Sequence, residues 1–568
     1  MKILGVCNAY VSGATLFIDN NVVASVNEER FSRIKNHRTF PIQSINYCLR
    51  YAGLTVSDID YIACGAWGGI SQEFLPYVVE ELIDAVLNDP TAKEIINDRT
   101  RVAIEKDHQF KNELMENLLK LGFQPEQINL YDHHLSHAYT AFYPSPFEEA
   151  LVFTVDRRGD FKSATISKAN RKSGIKLLDS TSMYTSLGAF YGFITRYLGF
   201  TPDKHEGKVT GLAAFGEYSS CIDIVKRMIS YRDGRIIANI GKNYTPFLNG
   251  KLPEIEALLA KSSREDIAAA AQKVTEEIVL SFLKKHLQST NLRNVCLAGG
   301  VFGNVKLNQR ILELKEVDNV YIFPQMGDGG NAFGGGLIKL YELGLTFNYP
   351  LRDVFLGPSF ENEAITVELD RHKDDLTWDE IENYSVEKIA EDISNGKVVG
   401  IFTGRMEFGP RALGSRSIIT RATDKDINTI LNKRLHRTEF MPFAPVTLEE
   451  YAHTYYKGWN SNHLCSYFMT VCYECTEKAI SESPAIVHVD NTARPQIINS
   501  GNCNSLYYNI VKAYNDLTGI PTLINTSFNN HEEPIACSPA DAMESLLKDN
   551  VDYIVIEKFV VKRKYGNS

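Results

Sequence analysis

The chain has 568 residues, 44% hydrophobic and 23% charged, with a formal net charge of −10. Single hydrophobic cores stop growing at roughly 250 to 300 residues, so two or more domains are expected. The acidic balance gives no general attraction to a phosphate backbone, which argues against nucleic acid as a partner.

The amino terminus, MKILGVCNAY, is interrupted by Asn8, Ser12, Asp19 and Asn20 too early for a signal peptide or a spanning helix, so no membrane association is expected. The cysteines, among them Cys7, Cys64, Cys221 and Cys296, suggest neither a disulfide framework nor a zinc pair and favour a reducing, cytoplasmic setting. Three strands are predicted in KILGVCNA, TLFID and VVASVNEER, joined by YVSGA and a turn at DNN. The pattern returns at 151 in LVFTVD, FKSATISK and IKLLDS, with turns at RRGD and ANRKSG, which predicts a duplicated lobe.

Helices are predicted in FLPYVVEELIDAVL, KNELMENLLKLG and REDIAAAAQKVTEEIVLSFLKKHLQ. After them NVCLAGGVFGN and VYIFPQMGDGGNAFGGGLIKLYELG each run from a strand through glycines into a helix. Between 343 and 380 the pattern loosens, and the domain boundary is placed at 355/356. A second α/β module opens at SVEKIAEDIS and ends on the strand VDYIVIEKFVVK.

His133 and His137 in YDHHLSHAY are four residues apart, which on a helix puts two imidazoles on one face. Metal ligation and simple packing at a helix start are equally good readings of that pair alone. Asp156 closes the apolar run LVFTVD, and Asp328 sits in MGDGG at a strand-to-helix turn, where ligands collect in open α/β sheets. Two imidazoles and two carboxylates suit a divalent transition metal such as iron, manganese or zinc. Each aspartate could equally be a turn or cap acid.

The glycine clusters join permissive backbone to a helix start, as phosphate cradles do, but match neither the P-loop nor the dinucleotide fingerprint. Gly299, Gly300, Asn304 and Gly327 are the candidate nucleotide contacts, with Lys208 of HEGKVTGLAAFG as a point charge. Tight packing is the alternative. In the C-terminal module, Arg411 and Arg416 lie in GPRALGSRS, Lys433, Arg434, His436 and Arg437 in NKRLHRTEFMPFAP, and Arg494 in NTARPQ. Arginine forks suit a small doubly charged oxyanion, and Asn525, Ser527 and Asn529 of NTSFN add neutral donors.

These landmarks, in the order EERFSR, HHLSHA, the Asp156 strand, GKVTGLAAFG, GGVFGN, GDGG, GPRALGSRSI, RTEFMPFAPV, ARPQ and NTSFN, resemble the carbamoyltransferase family of nodulation-factor and antibiotic maturation, which includes the aminoglycoside carbamoyltransferase. The resemblance spans nearly the whole chain. It implies an α/β protein with a two-lobed actin/Hsp70-like domain over 1–355, and a second α/β domain over 356–568 resembling the one that makes threonylcarbamoyl-adenylate.

It further implies iron(II) or another divalent metal on His133, His137, Asp156 and Asp328. Carbamoyl phosphate would lie against Arg411, Arg437, Arg494, Ser527 and Asn529, with Lys433 and Asn525 beside them. ATP with magnesium is the co-substrate, and His137, Lys208 and Arg437 are the implied catalytic residues. Carbamoyl-adenylate would form first, and its carbamoyl group would pass to a hydroxyl of a small molecule or sugar in natural-product or glycan synthesis. A homodimer is compatible with the resemblance.

Many relatives carry a His-Asp pair just after the first strand, where this chain has Val11 and Ser12. That departure leaves open a nucleotide-binding regulatory protein with a decayed site, and the resemblance of both halves to threonylcarbamoyl enzymes leaves open threonylcarbamoyl transfer to tRNA.

Overall fold

The computed structural model describes residues 1–69, 74–246, 251–437 and 440–564. They divide into two compact units, Met1–Val23 with Arg38–Leu351, and Ala24–His37 with Arg352–Ser568. The division drawn from the sequence treats residues 1–355 as continuous. In the structure the break falls at 351/352, and residues 24–37 go with the second unit.

Unit 1 is built on two five-stranded sheets of the same connectivity. β1 (Lys2–Cys7), β2 (Gly13–Ile18), β3 (Asn21–Asn27), β4 (Tyr61–Cys64) and β5 (Ile128–Leu130) stand in the order β3-β2-β1-β4-β5. β3 crosses the unit boundary at Val23/Ala24. The second sheet starts with β6 (Glu149–Gly159), β7 (Lys162–Asn170) and β8 (Gly174–Ser182). It resumes, after a small hairpin of β9 (Ile229–Arg232) and β10 (Arg235–Ala238), with β11 (Asn294–Ala298) and β12 (Asn319–Ile322) in the order β12-β11-β6-β7-β8. In each sheet the first strand pairs antiparallel with the second and parallel with the fourth, and the fourth runs parallel to the fifth.

β1 and β6 are the middle strands, and their apolar runs are buried almost end to end, as expected of strands covered on both faces. The helix Arg264–Thr290, capped by Ser263, buries the alanine run 268–271. The helix Asn331–Glu342 lies backbone to backbone on the first sheet. A Cβ at Gly65 would come within 1.8 Å of the Asn331 carbonyl oxygen, and one at Gly334 within 2.2 Å of that of Ser136. The run GGG at 334–336 thus serves close packing, which brings the first turn of that helix beside the helix His133–Phe142.

Local expectations shift in three places. The turn expected at RRGD begins only at its last residue: β6 runs on to Gly159, with a register shift between Val155 and Gly159, and Asp160 and Phe161 make the turn at positive φ. KNELMENLLKLG is the end of a longer helix, Ala92–Lys120. The loosened region 343–380 holds a helix, Asn362–Arg371, and β13 (Leu376–Glu380).

Unit 2 centres on an eight-stranded sheet, β13-β22-β21-β14-β15-β20-β16-β19. Its strands are β13, β14 (Val399–Phe402), β15 (Arg416–Arg421), β16 (Pro445–Leu448), β19 (Gln496–Ile498), β20 (Thr522–Ser527), β21 (Tyr553–Ile556) and β22 (Phe559–Arg563). A short pair, β17 (Tyr473–Glu474) and β18 (Thr492–Ala493), stands apart. Ile389 and Ile393 of the helix Val386–Ser394, and Tyr507, Ile510, Val511 and Tyr514 of the helix Ser505–Thr518, pack on Val399, Ile401, Leu523 and Val555. The expected closing strand is a hairpin, because Glu557 and Lys558 break its apolar run and Glu557 turns the chain at φ 45°. Among the described residues no helix is long and apolar enough to cross a membrane.

Candidate metal centre and anion site

Asp132 is the N-cap of the helix His133–Phe142, its side chain accepting from Leu135 N at 2.8 Å. His133 and His137 follow one turn apart and face the same way. The His133 N–H donates to Asp160 Oδ2 at 2.8 Å, and Asp132 pairs with Lys162. Asp156 comes just after the residues of β6 that pair with β11 (Thr154) and β7 (Val155), so its carboxylate leaves the sheet at the register shift. Asp328 begins the turn after β12.

The four side chains converge. His133 Nε2 lies 3.1 Å from His137 Nε2, 3.4 Å from Asp156 Oδ2 and 3.2 Å from Asp328 Oδ1. His137 Nε2 lies 2.9 Å from Asp156 Oδ2 and 3.5 Å from Asp328 Oδ1. Nitrogen and oxygen ligands about 2.0 to 2.2 Å from a common ion stand about 2.9 to 3.5 Å apart in octahedral or tetrahedral shells. The observed spacings fit such a shell, and the donor set suits a divalent cation, whose charge two carboxylates would balance.

Without a cation, one proton at most can sit between the two facing imidazole nitrogens. Burial works against charge on His133, but Asp328 and Asp156 outweigh it and hold its pKa well above the ordinary value. Burial likewise opposes ionisation of Asp156, yet hydrogen bonds from His133 and His137 hold it well below. The pocket favours positive charge at its centre.

His134 turns away, with Nδ1 2.8 Å from Thr154 Oγ1, and burial followed by its two histidine neighbours suppresses its protonation. Asn331 was not anticipated. Fully buried, it sets Nδ2 3.4 Å from His133 Nε2 and 3.5 Å from His137 Nε2. Its position directly after GDGG was the available signal. Asp160, pushed up to about 6 by burial and then by Asp132, was read only as part of a turn.

Both glycine turns reach this cluster. Gly299 N donates to Met326 O at 2.6 Å, a Cβ on Gly300 would lie 3.2 Å from Asp156 Oδ1, and one on Gly327 3.9 Å from Gly300 Cα. Asn304 instead caps the helix Val305–Leu312 and bonds Gln272 at 2.7 Å. Lys208 is buried in the helix Glu206–Leu212. In the turn after β1, Val11 takes φ 58°, and the fully buried Ser12 Oγ has no hydrogen-bond partner.

In unit 2, Arg437 donates to Thr526 Oγ1 at 2.8 Å, Asn529 O at 3.0 Å, Asn529 Oδ1 at 3.1 Å and Ser527 Oγ at 3.2 Å, gathering three of the expected residues. Arg411 and Arg494 are neighbours. Burial, then the charge of Arg494, holds the Arg411 pKa well below its ordinary value, and burial lowers that of Arg494. Arg411 Nε and Arg494 Nη1 are buried with no hydrogen-bond partner, so this concentrated positive charge offers donors to an anion.

Asn525 joins the segments: its Nδ2 donates to Ala412 O at 3.1 Å and to Gln496 Oε1 at 2.8 Å, while Gln496 Nε2 donates to Leu413 O at 2.8 Å. Arg416 is structural, fully buried over the Phe402 ring and donating to the carbonyls of Thr403, Ser415 and Pro358. Arg434 pairs with Asp552 at 3.2 Å, and Lys433 is exposed. Thr438 and Glu439 of the RTEF motif lie outside the described residues. Cys472 and Cys475 do have the Cys-x-x-Cys spacing that the sequence reading passed over. All ten cysteines are free, and among the described residues neither of this pair belongs to a group that could hold a metal.

Residues 2–337 match the family model for the carbamoyltransferase N-terminus, and residues 390–563 that for the carbamoyltransferase C-terminus. The chain belongs to the carbamoyltransferase family, and the class this defines is a carbamoyl-transferring enzyme. It is 33% identical to nodulation protein NolNO of Sinorhizobium fredii (strain NBRC 101917 / NGR234), over 97% of this chain and 78% of that protein. It is 34% identical to nodulation protein NolO of Bradyrhizobium diazoefficiens, over 76% of this chain and 79% of that protein. Uncharacterized protein MJ1051 of Methanocaldococcus jannaschii is 32% identical over 99% of both chains.

Proposed function

We propose that the chain is an ATP-dependent O-carbamoyltransferase with separate sites for activation and transfer. The observation that carries this reading is the half-buried Arg411 and Arg494 pair, whose Nε and Nη1 respectively are buried without a hydrogen-bond partner. Carbamoyl phosphate, held by Arg411, Arg437, Arg494, Ser527 and Asn529, is hydrolysed to carbamate and phosphate, and a carbamate oxygen then attacks the α-phosphorus of ATP, expelling pyrophosphate. One water is consumed, and carbamoyl-adenylate is formed. Fixed guanidiniums offset the repulsion between the two anions as the new bond forms. Lys433, exposed, adds positive charge to the approach.

Transfer belongs to unit 1, whose duplicated sheets support the actin/Hsp70-like reading. His133, His137, Asp156 and Asp328 would hold iron(II) or another divalent metal, which supplies Lewis-acid polarisation of the carbamoyl adenylate. Asn331 and Asp160 orient the two histidines. The glycine turns at 299–300 and 327, with Lys208, receive the nucleotide, and enclosure protects the intermediate from water. The carbamoyl carbon is attacked by a hydroxyl of a small molecule or sugar, with AMP leaving. Free buried thiols suit a cytoplasmic setting.

Purified protein loaded with iron(II) should form pyrophosphate from ATP only when carbamoyl phosphate is present, and mass spectrometry should find one added carbamoyl on an accepting alcohol. Pyrophosphate formation indifferent to carbamoyl phosphate would refute the proposal.

A further inference from the structure

The motif EERFSR, residues 28–33, belongs to unit 2 although it is encoded between the first and second parts of unit 1. None of the roles described above uses it. Ser25 N donates to Leu356 O at 3.1 Å, seating the incoming chain. Arg30 is buried, contacts Glu29 Oε1 at 3.3 Å, and donates through Nη2 to Gly409 O at 2.7 Å. Gly409 sits at φ 135°, open to glycine alone, two residues before Arg411. Glu29 is itself held, accepting from Asn36 N at 2.7 Å.

Three residues on, Arg33 donates to Ile535 O at 2.7 Å and to Pro534 O at 2.8 Å, with Asp541 3.4 Å from its Nε. Those carbonyls follow Glu533, whose own carbonyl accepts from Asn529 Nδ2 at 2.8 Å, while Asn529 Oδ1 accepts from Arg437. Between the two arginines, Phe31 packs on Met406 of one loop and on Ile535 and Cys537 of the other. One short segment therefore grips both loops of the anion site: 404–416, which carries Arg411, and 528–537, which carries Asn529.

We infer that Arg30 and Arg33 are positioning residues for the anion site, Arg30 setting the loop of Arg411 and Arg33 the loop of Asn529. The inference rests on the reading of that site as the carbamoyl phosphate pocket. Neither arginine touches the substrate. Each fixes main-chain carbonyls whose displacement moves a guanidinium or amide ligand, and misplacement of about 1 Å is enough to cost roughly a hundredfold.

The test uses the full chain and three readouts: KM and kcat for carbamoyl-phosphate-dependent pyrophosphate formation, bound metal, and amide hydrogen exchange. Arg30→Gln and Arg33→Gln should each raise the KM for carbamoyl phosphate about tenfold or more, with bound metal unchanged. Exchange should quicken in 404–416 for the first and in 528–537 for the second. Arg30→Lys, which keeps a donor for one carbonyl, should recover most of the loss, whereas Arg33→Lys, facing two carbonyls, should not.

A KM within twofold of wild type together with unchanged loop exchange overturns the inference. Should the glutamine variants fail to fold, the lysine pair decides, and equal behaviour of the two overturns it. If the wild-type protein makes no pyrophosphate, the carbamoyl phosphate reading falls on its own. Loop exchange then decides the positioning role, faster exchange supporting it and unchanged exchange refuting it.

Discussion

Gly159→Ala is a small change with a large expected effect at the metal centre. A Cβ there would lie 2.1 Å from both Cγ and Cδ2 of His133 and 2.6 Å from its Cβ. Ordinary contact begins at 3.4 Å, so the ring must withdraw by about 1.3 Å. Ring rotation alone does not relieve the clash, because His133 Cβ is itself too close, and the helix is held in place by the Asp132 cap and by the bond from His133 N to Asp160. Metal shells tolerate about 0.2 Å in ligand distance. Gly159 is not among the residues at positive φ, so alanine adds no backbone strain and the steric push acts alone. Iron(II) affinity should fall by about a hundredfold or more, read by titration against a competing chelator, and carbamoyl transfer should fall with it. Carbamoyl-phosphate-dependent pyrophosphate formation should be unchanged. A variant that binds iron(II) as tightly as wild type would refute the steric reasoning and the assignment of His133 as a ligand.

Three further outcomes are expected. Chelation should abolish transfer to an acceptor while leaving pyrophosphate formation, assayed with magnesium restored, within about twofold; loss of both together would contradict separate sites. Arg411→Lys keeps the charge but loses the fork, and should lower kcat/KM for carbamoyl phosphate by about tenfold to a hundredfold in the pyrophosphate assay, with bound metal unaffected. His463, brought down to about 4 by burial, is neutral in the fold, with Asn460 Nδ2 at 2.9 Å and Tyr473 Oη at 3.1 Å from its ring nitrogens. Its contribution is complete above the unfolded value near 6.5 and is lost as pH falls from 6.5 towards 4, about 3 kcal/mol in all. Urea unfolding of His463→Gln should therefore show a correspondingly shallower loss of stability over that range; parallel curves would refute it.

The cluster of His133, His137, Asp156 and Asp328 was legible because two histidines one helical turn apart and two acids at strand ends are chemically uncommon side chains in regular positions. The duplicated sheet was legible through repeated alternation and turn residues. Less could be read where neighbours distant in sequence decide. RRGD has turn composition, yet pairing with β7 resumes at Gly159 and delays the turn to Asp160 and Phe161. Asn331 resembles any residue at a helix start until the close approach at Gly65 and Gly334 brings that helix against the histidines.

The arginines show the limit most clearly. Arg411, Arg416, Arg434, Arg437 and Arg494 look alike in sequence, and only their surroundings separate them. Arg416 donates to the carbonyls of Thr403 and Pro358 and Arg434 pairs with Asp552, so the fold holds both; Arg411 and Arg494 stand side by side with buried donors, a concentration of positive charge that suits an incoming anion. Arg30 and Arg33 bond mainly to peptide carbonyls, and a carbonyl leaves no mark in a sequence because every residue has one. Residues that act by holding main chain are thus the ones a motif can flag without explaining. EERFSR is such a motif: its two arginines bond to the main chain of Gly409, Pro534 and Ile535, hundreds of residues away.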